Sequence, residues 1–305
     1  MKKSVLYNIK SICELHDLFN LPKPHNPLIS VADVSLFDYE KNREIWKHFS
    51  QDFYCVSVKL GNKCKMKYGQ RYYDFNEGVM VFTKPGQVFR IFETDEYRAT
   101  GFALFFKADL IQHYPLAKTI KDYGFFAYDL SEALHLSDAE MNIVSTLIEQ
   151  IQQELKSNID TFSQDIIVSH LDLLLNYANR FYNRQFITRK PASDEILIRL
   201  EKLLNDYFND DNLSLSGLPT VQYVAGQLGI SVDYLSDMLR STTGQNTQQH
   251  IHSKLIEKAK ELLSTTNLSV KEIAYQLGFE YAQSFNKLFK KKTAVSPMEF
   301  RARFN

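Results

Sequence analysis

Between residues 53 and 106 the apolar and aromatic side chains come in short bursts. "FYCVSVKL" (53–60), "RYYDF" (71–75), "VMVFTK" (79–84), "VFRIFE" (88–93) and "ATGFALFF" (99–106) recur at roughly ten-residue intervals. Turn formers separate them: Gly61-Asn62, Asn76-Glu77-Gly78 and Pro85-Gly86. Runs of β-branched and aromatic residues at that spacing predict short antiparallel strands, so residues from about 28 to 107 read as a sandwich or small barrel. From Ser137 the period changes. Met141, Val144, Ile148, Ile151 and Leu155 lie three or four apart, one stripe of a helix. Ser137 with Glu140 has the form of a capping box at its start. A second stripe runs through Ile167, Leu171, Leu174, Ala178 and Phe181. Two such helices can meet a second subunit through Val144, Ile148, Ile151, Leu171 and Leu174, or pack on the strands of their own chain. Each stripe lasts only about two heptads, so the spacing leaves both readings open. "NRQFITRKPASDE" (183–195) is polar, is broken by Pro191 and reads as a linker. Everything beyond it reads as helix. The expected organisation is α+β: a β domain over 1–136, a helix pair over 137–182, a linker over 183–192 and an all-α domain over 193–305.

The all-α part repeats itself. "VQYVAGQLGISVDYLSDMLRS" (221–241) is followed by "VKEIAYQLGFEYAQSFNKLFKK", which starts at Val270. In the first copy Ala225, Gly229 and Leu235 stand where two crossing helices need a small residue, a left-handed turn and an apolar anchor. Val224, Leu228, Ile230 and Met238 supply further apolar contacts. In the second copy Ala274 and Gly278 keep the spacing, and the anchor, Phe285, falls one residue later, which predicts a slightly longer turn. Between the copies "TQQHIHSKLIEKAKELLS" (247–264) carries Ile251, Leu255, Ala259 and Leu262 on one face. A helix of eighteen residues spans ~27 Å, and one turn of B-DNA is ~34 Å. Such a helix can hold two reading heads in successive major grooves.

These residues, and above all the ending "EIAYQLGFEYAQSFNKLFKKKTAVSPMEFR" (272–301), resemble the AraC family of transcription regulators. The resemblance covers about the last hundred residues. It implies two helix-turn-helix units, each placing its second helix in the major groove. It also implies an N-terminal cupin-like β-barrel with a dimerising helix pair, here matched only in kind. The first copy keeps Gly244 after its second helix, whereas the second copy has Ala294 where the family usually has Gly.

On the second helix of the second copy, Tyr281, Gln283, Asn286, Lys287 and Lys290 point away from the anchor. Gln and Asn pair bidentately with adenine, and Lys reaches guanine or phosphate. Gln283, Asn286 and Lys287 are therefore the expected base readers, with Lys290 and Lys291 on phosphates. In the first copy the outward set is Ser231, Asp233, Ser236, Asp237 and Arg240. The resemblance places Asp233, Ser236 and Asp237 where base contacts are usually made. Two carboxylates beside phosphates are repelled unless they accept from cytosine N4, which predicts unequal heads: a basic one that binds and an acidic one that discriminates. Asp233 alternatively sits in a first helical turn, where the helix dipole favours it.

Composition changes this picture little. The chain has 305 residues, 44% hydrophobic and 24% charged, with a formal net charge of zero. Residues 219–305 hold eleven Lys and Arg against seven Asp and Glu, a net of +4, which leaves −4 on the remainder. That asymmetry fits a DNA-binding end on an acidic partner domain. No N-terminal apolar run follows Lys2 and Lys3, and no stretch is long enough for a membrane span. Cys13, Cys55 and Cys64 are odd in number and form no CxxC pair, so a reduced, cytoplasmic chain is expected.

The eight histidines, His16, His25, His48, His113, His135, His170, His250 and His252, show no metal-site spacing. No nucleophile triad, P-loop or dinucleotide fingerprint is present, so neither an enzyme nor a cofactor is expected. Arg71, Tyr73, Phe82, Arg90 and Phe102 are candidates to line an apolar effector pocket, or ordinary core. The expected partners are operator DNA, a second copy of the chain, a small effector and RNA polymerase, with no membrane. Two competing readings remain: a cupin-class enzyme, which would carry metal, and a non-specific architectural DNA binder, for which the near-neutral first copy is unsuited.

Overall fold

The apolar bursts of the first half pair into sheets. The computed structural model describes residues 6–60, 64–68, 71–75, 78–89, 100–158, 160–188, 190–209 and 217–304. The chain divides into two compact units, Met1–Gln185 and Phe186–Asn305. The strands of the first are β1 (Tyr7–Ile9), β2 (Ile29–Asp33), β3 (Phe49–Gln51), β4 (Tyr54–Leu60), β5 (Cys64–Tyr68), β6 (Arg71–Phe75), β7 (Val79–Thr83), β8 (Val88–Phe89), β9 (Thr100–Phe106) and β10 (Leu134–His135). Five of them form an antiparallel sheet in the order β10-β7-β4-β9-β2. A three-stranded sheet, β1-β3-β8, and the β5-β6 pair complete the set.

Register decides what each face of the central sheet covers. Val56 lies opposite Phe82 and Leu104, and Val58 opposite Met80 and Phe102. Alternate residues share a face, so these six point one way while Cys55, Ala103 and Phe105 point the other. On the first face the Phe82 ring packs on Phe125, Phe126 and Tyr182, with centroids 4.4, 5.5 and 6.2 Å away. On the second face, Cys55, Ala103 and Phe105 join a cluster with Trp46, Phe49 and Phe89. Phe19, on the same cluster, stacks on Trp46 at 4.0 Å. It follows helix α1 (Ile12–Leu18).

Helix α2 (Asp138–Lys156) begins with the predicted capping box, in which Ser137 and Glu140 each accept from the other's backbone N–H. Helix α3 (Ser163–Thr188) follows. The two stripes turn inward. Val144, Ile148, Ile151, Leu171 and Leu174 are each 0% exposed within a single chain. This corrects the reading of those five as a subunit seam, because a side chain with no surface left in its own chain has none to offer another. The end of α3 is tied down by polar contacts as well. The Tyr182 hydroxyl donates to the Glu132 carbonyl at 3.2 Å, Gln185 accepts from the His135 N–H at 2.8 Å, and Arg184 pairs with Glu140.

Residues 183–192 are helical through Thr188 and again from Lys190, where α4 (Lys190–Phe208) starts. Pro191 is the second residue of that helix. Proline is tolerated there because the first-turn N–H groups have no intrahelical partner in any case.

The rest of the second unit is α5 (Val221–Leu228), α6 (Val232–Thr243), α7 (Thr247–Thr265), α8 (Val270–Gln276), α9 (Ala282–Thr293) and α10 (Pro297–Arg301). Helix α7 packs against α4, α6, α8, α9 and α10 and so carries the frame. Most of these helices start at a side-chain cap: Thr220, Ser231, Asn246, Ser269 and Ser296 each accept from a backbone N–H three residues on. Ala225 and Ala274 are buried at the helix crossings, and the anchors Leu235 and Phe285 are wholly buried. Three residues separate α5 from α6 and five separate α8 from α9, the longer turn expected for the second copy.

Gly229 and Gly278 take left-handed backbone angles, φ +71° and +81°. Ala294, at the end of α9, is forced into the same region at φ +64°. A residue with a Cβ pays ~1–2 kcal/mol there. Ala294→Gly is therefore expected to stabilise the second unit by about 1 kcal/mol in urea unfolding, after the extra freedom of unfolded glycine is deducted.

Candidate nucleic-acid interface

Both α6 and α9 bury one side and expose the other, as a reading helix must. On α9, Phe285 and Phe289 face the core and touch, with ring centroids 5.7 Å apart. Gln283, Asn286, Lys287, Lys290 and Lys291 are all exposed. None of the five side chains makes a hydrogen bond or ion pair with the other described residues. Their polar atoms are thus left to solvent or to a ligand. Tyr281, at the helix start, is 63% exposed.

Helix α6 presents a different surface. Ser231 is its cap and accepts from the Tyr234 N–H. Its hydroxyl is therefore structural first, a role signalled by its place ahead of the helix. Ser236 Oγ lies 2.9 Å from Oγ1 of the buried Thr247 at the start of α7. Arg240 donates to Asp237 at 2.8 Å, three residues apart on the same face. Asp233 is exposed in the first helical turn. The outward residues of α6 are thus largely engaged with the protein, whereas those of α9 are not.

Beside α6 is a concavity that the sequence reading missed. Thr220 and Gln222 from the start of α5, Val232, Ser236 and Arg240 from α6, and Gln248 from α7 line it. The signal for this was the run of caps, Thr220, Ser231 and Asn246, all ahead of short helices.

Helix α7 also carries two histidines with shifted protonation. Burial holds the His250 imidazole below its ordinary value. His252 is lowered by burial first, then by Lys292 and Lys291. A histidine whose folded value is depressed takes up its proton more readily when unfolded. Stability is therefore full above the ordinary histidine value and falls as pH drops through it. Urea unfolding of the chain is expected to show a lower midpoint for the second unit at pH 5.5 than at pH 7.5. His252→Gln should reduce that difference.

Of the five candidates for an effector pocket, Phe82 and Phe102 have described side chains. Phe82 is 2% exposed and packed among aromatic rings, so it is core, while Phe102 is half-buried on β9. Arg71 and Tyr73 lie on β6. Arg90 lies outside the described residues. The first unit does have a cleft of about 200 Å³ elsewhere, between β2 and the end of α2, lined in part by Lys23, His25, Val31, Leu155 and Lys156. Among the described residues no cluster of His, Cys, Asp or Glu is arranged to hold a metal ion. No helix among them is long and apolar enough to cross a membrane.

Comparison with known proteins bears on the second unit first. A family model described as a helix-turn-helix domain matches residues 224–303. The arabinose operon regulatory protein of Escherichia coli is 27% identical over 179 residues, 59% of this chain and 55% of that one. Residues 224–303 are an AraC-type helix-turn-helix domain, and the relatives that match are AraC-type transcription regulators. An uncharacterized HTH-type transcriptional regulator, YfiF, of Bacillus subtilis is a longer match, 28% identical over 77% of the chain and 72% of its own length. Among solved structures, the C-terminal domain of the response regulator yesN from Fusobacterium nucleatum is 32% identical, with a TM-score of 0.29. That match takes in 33% of this chain and 93% of that domain.

Proposed function

We propose that this chain recognises its operator with two unequal heads held one DNA turn apart, under the control of its N-terminal unit. The observation that carries the reading is the contrast between the two outward faces. The side chains of Gln283, Asn286, Lys287, Lys290 and Lys291 make no hydrogen bond or ion pair among the described residues. Ser236, Asp237 and Arg240 are already engaged. Helix α9 then supplies most of the contact energy, with Gln283, Asn286 and Lys287 on bases and Lys290 and Lys291 on phosphates. Helix α6 contributes discrimination. The nineteen residues of α7 give ~28 Å between the two helix-turn-helix copies, a length suited to successive major grooves.

The N-terminal unit is the sensing part in this reading, a cupin-like barrel over 1–136 with the helix pair of 137–182. A small effector or a protein partner acts there by binding one of two arrangements more tightly than the other. Exposed Ile166 and Leu173 along α3, with exposed Phe162 just ahead of it, support a homodimer through the outer face of that helix. RNA polymerase is the further partner, and the setting is cytoplasmic. The test is fluorescence anisotropy of the full chain on duplexes tiled across the DNA upstream of its gene and neighbouring genes, with a scrambled control, at two salt concentrations. A preference that survives added salt supports the reading. Equal binding to all duplexes, erased by salt, refutes it.

A further inference from the structure

An acidic residue on a DNA-facing helix is an anomaly that asks for a cause. Asp237 lies outward on α6, and a bare carboxylate on a helix that faces DNA would repel the duplex. It is not bare. Arg240 Nη1 donates to Asp237 Oδ1 at 2.8 Å. We propose that the two act as one reader, with Asp237 holding Arg240 for a guanine in the major groove. This rests on the proposed DNA reading and names the base that the first head selects.

Three observations support it. First, the ion pair uses a single Nη1 donor. Arg240 has no other partner among the described residues, so Nε and Nη2 are left as a parallel pair for guanine O6 and N7. Second, the pair draws the guanidinium back over Asp237, one turn nearer the helix N-terminus. That is the end of a recognition helix that meets base edges. Third, the arginine side chain remains 60% exposed while the aspartate is 30% exposed, so the cation, not the carboxylate, is the outer member. An arginine held in one geometry loses less freedom on binding than a free one, so the pair favours one orientation at the base. Asp237 is a positioning residue here and Arg240 the specificity-determining one.

Selection from a pool of random duplexes, followed by anisotropy on the selected sequence, tests this with the full chain and its Arg240→Ala, Arg240→Lys and Asp237→Ala variants. The wild-type motif is expected to contain a guanine in the half reached by α6. Replacing that guanine should weaken wild-type binding about 10- to 100-fold. Arg240→Lys, which keeps the charge but not the fork, should lose that preference with little change in salt dependence. Asp237→Ala should blunt the same preference several-fold and leave the other positions of the motif intact. The proposal is overturned if Arg240→Ala weakens all sequences alike and lowers the salt slope by about one, which is the signature of a phosphate contact. It is equally overturned if Asp237→Ala erases a cytosine column that Arg240→Ala leaves alone. A pool from which no variant enriches any motif would instead contradict the sequence-specific reading on which the proposal rests.

Discussion

Gly278→Ala is expected to cost the second unit about 3 kcal/mol, enough to unfold a marginal domain. Two effects add. The residue sits at φ +81°, where a side chain costs ~1–2 kcal/mol. A Cβ there would also lie 2.9 and 3.0 Å from backbone atoms of Gly217. Backbone cannot swing away as a side-chain tip can, so the turn between α8 and α9 must shift. Gly217 is itself fixed by the Tyr207 hydroxyl, which donates to its carbonyl at 2.9 Å. The contrast is Gly226→Ala in α5, which meets nothing within 4 Å and should stabilise by roughly 0.5–1 kcal/mol. Urea unfolding followed by a probe in each unit separates the cases. A Gly278→Ala midpoint equal to wild type would mean that the turn is looser than the geometry implies.

The second large effect concerns binding. Gln283→Ala with Asn286→Ala should remove roughly 2–6 kcal/mol of discrimination between operator and scrambled DNA, from two bidentate pairs. Affinity for scrambled DNA should hardly change, and neither should the salt slope. Lys290→Ala with Lys291→Ala should do the reverse, weakening every duplex and lowering the salt slope by about two. The pairs can be compared because all four side chains are exposed and make no hydrogen bond or ion pair among the described residues, so truncation leaves no buried group unsatisfied. Identical losses on operator and scrambled DNA from the Gln283 and Asn286 pair would show that α9 binds but does not read.

The parts of the fold that the sequence disclosed are those where one local rule suffices. The β-branched and aromatic runs at 54–60, 79–83 and 100–106 became strands. The strands "YNI", "FSQ" and "LH" did not announce themselves, because two or three residues carry no period. The helical stripes through Val144 and Leu171 were legible, but not their destination. A subunit seam and a core-facing stripe share the 3,4 spacing, and only burial of all five named side chains separates them. Pro191 misled in the same way. Its meaning depends on whether a helix starts one residue earlier, which composition does not reveal.

The reading helices show a similar division. Ala225, Gly229, Ala274 and Gly278 were readable because each answers a backbone requirement. The state of Asp237 was not, although its spacing of three from Arg240 is that of a helical ion pair. Charge counted residue by residue treats the first head as acidic, while the structure pairs the charge internally. Ser236 likewise looked available, and its contact with Thr247 depends on where α7 begins.

One chain is expected to read two successive major grooves from one side of the duplex. Hydroxyl-radical footprinting of the full chain on its selected operator tests it most directly. Two protected patches per protomer, about 10 base pairs apart on the same face, are predicted. Loss of α9 side chains should clear one patch before the other. A single patch of one groove, or unbroken protection without periodicity, would contradict the account.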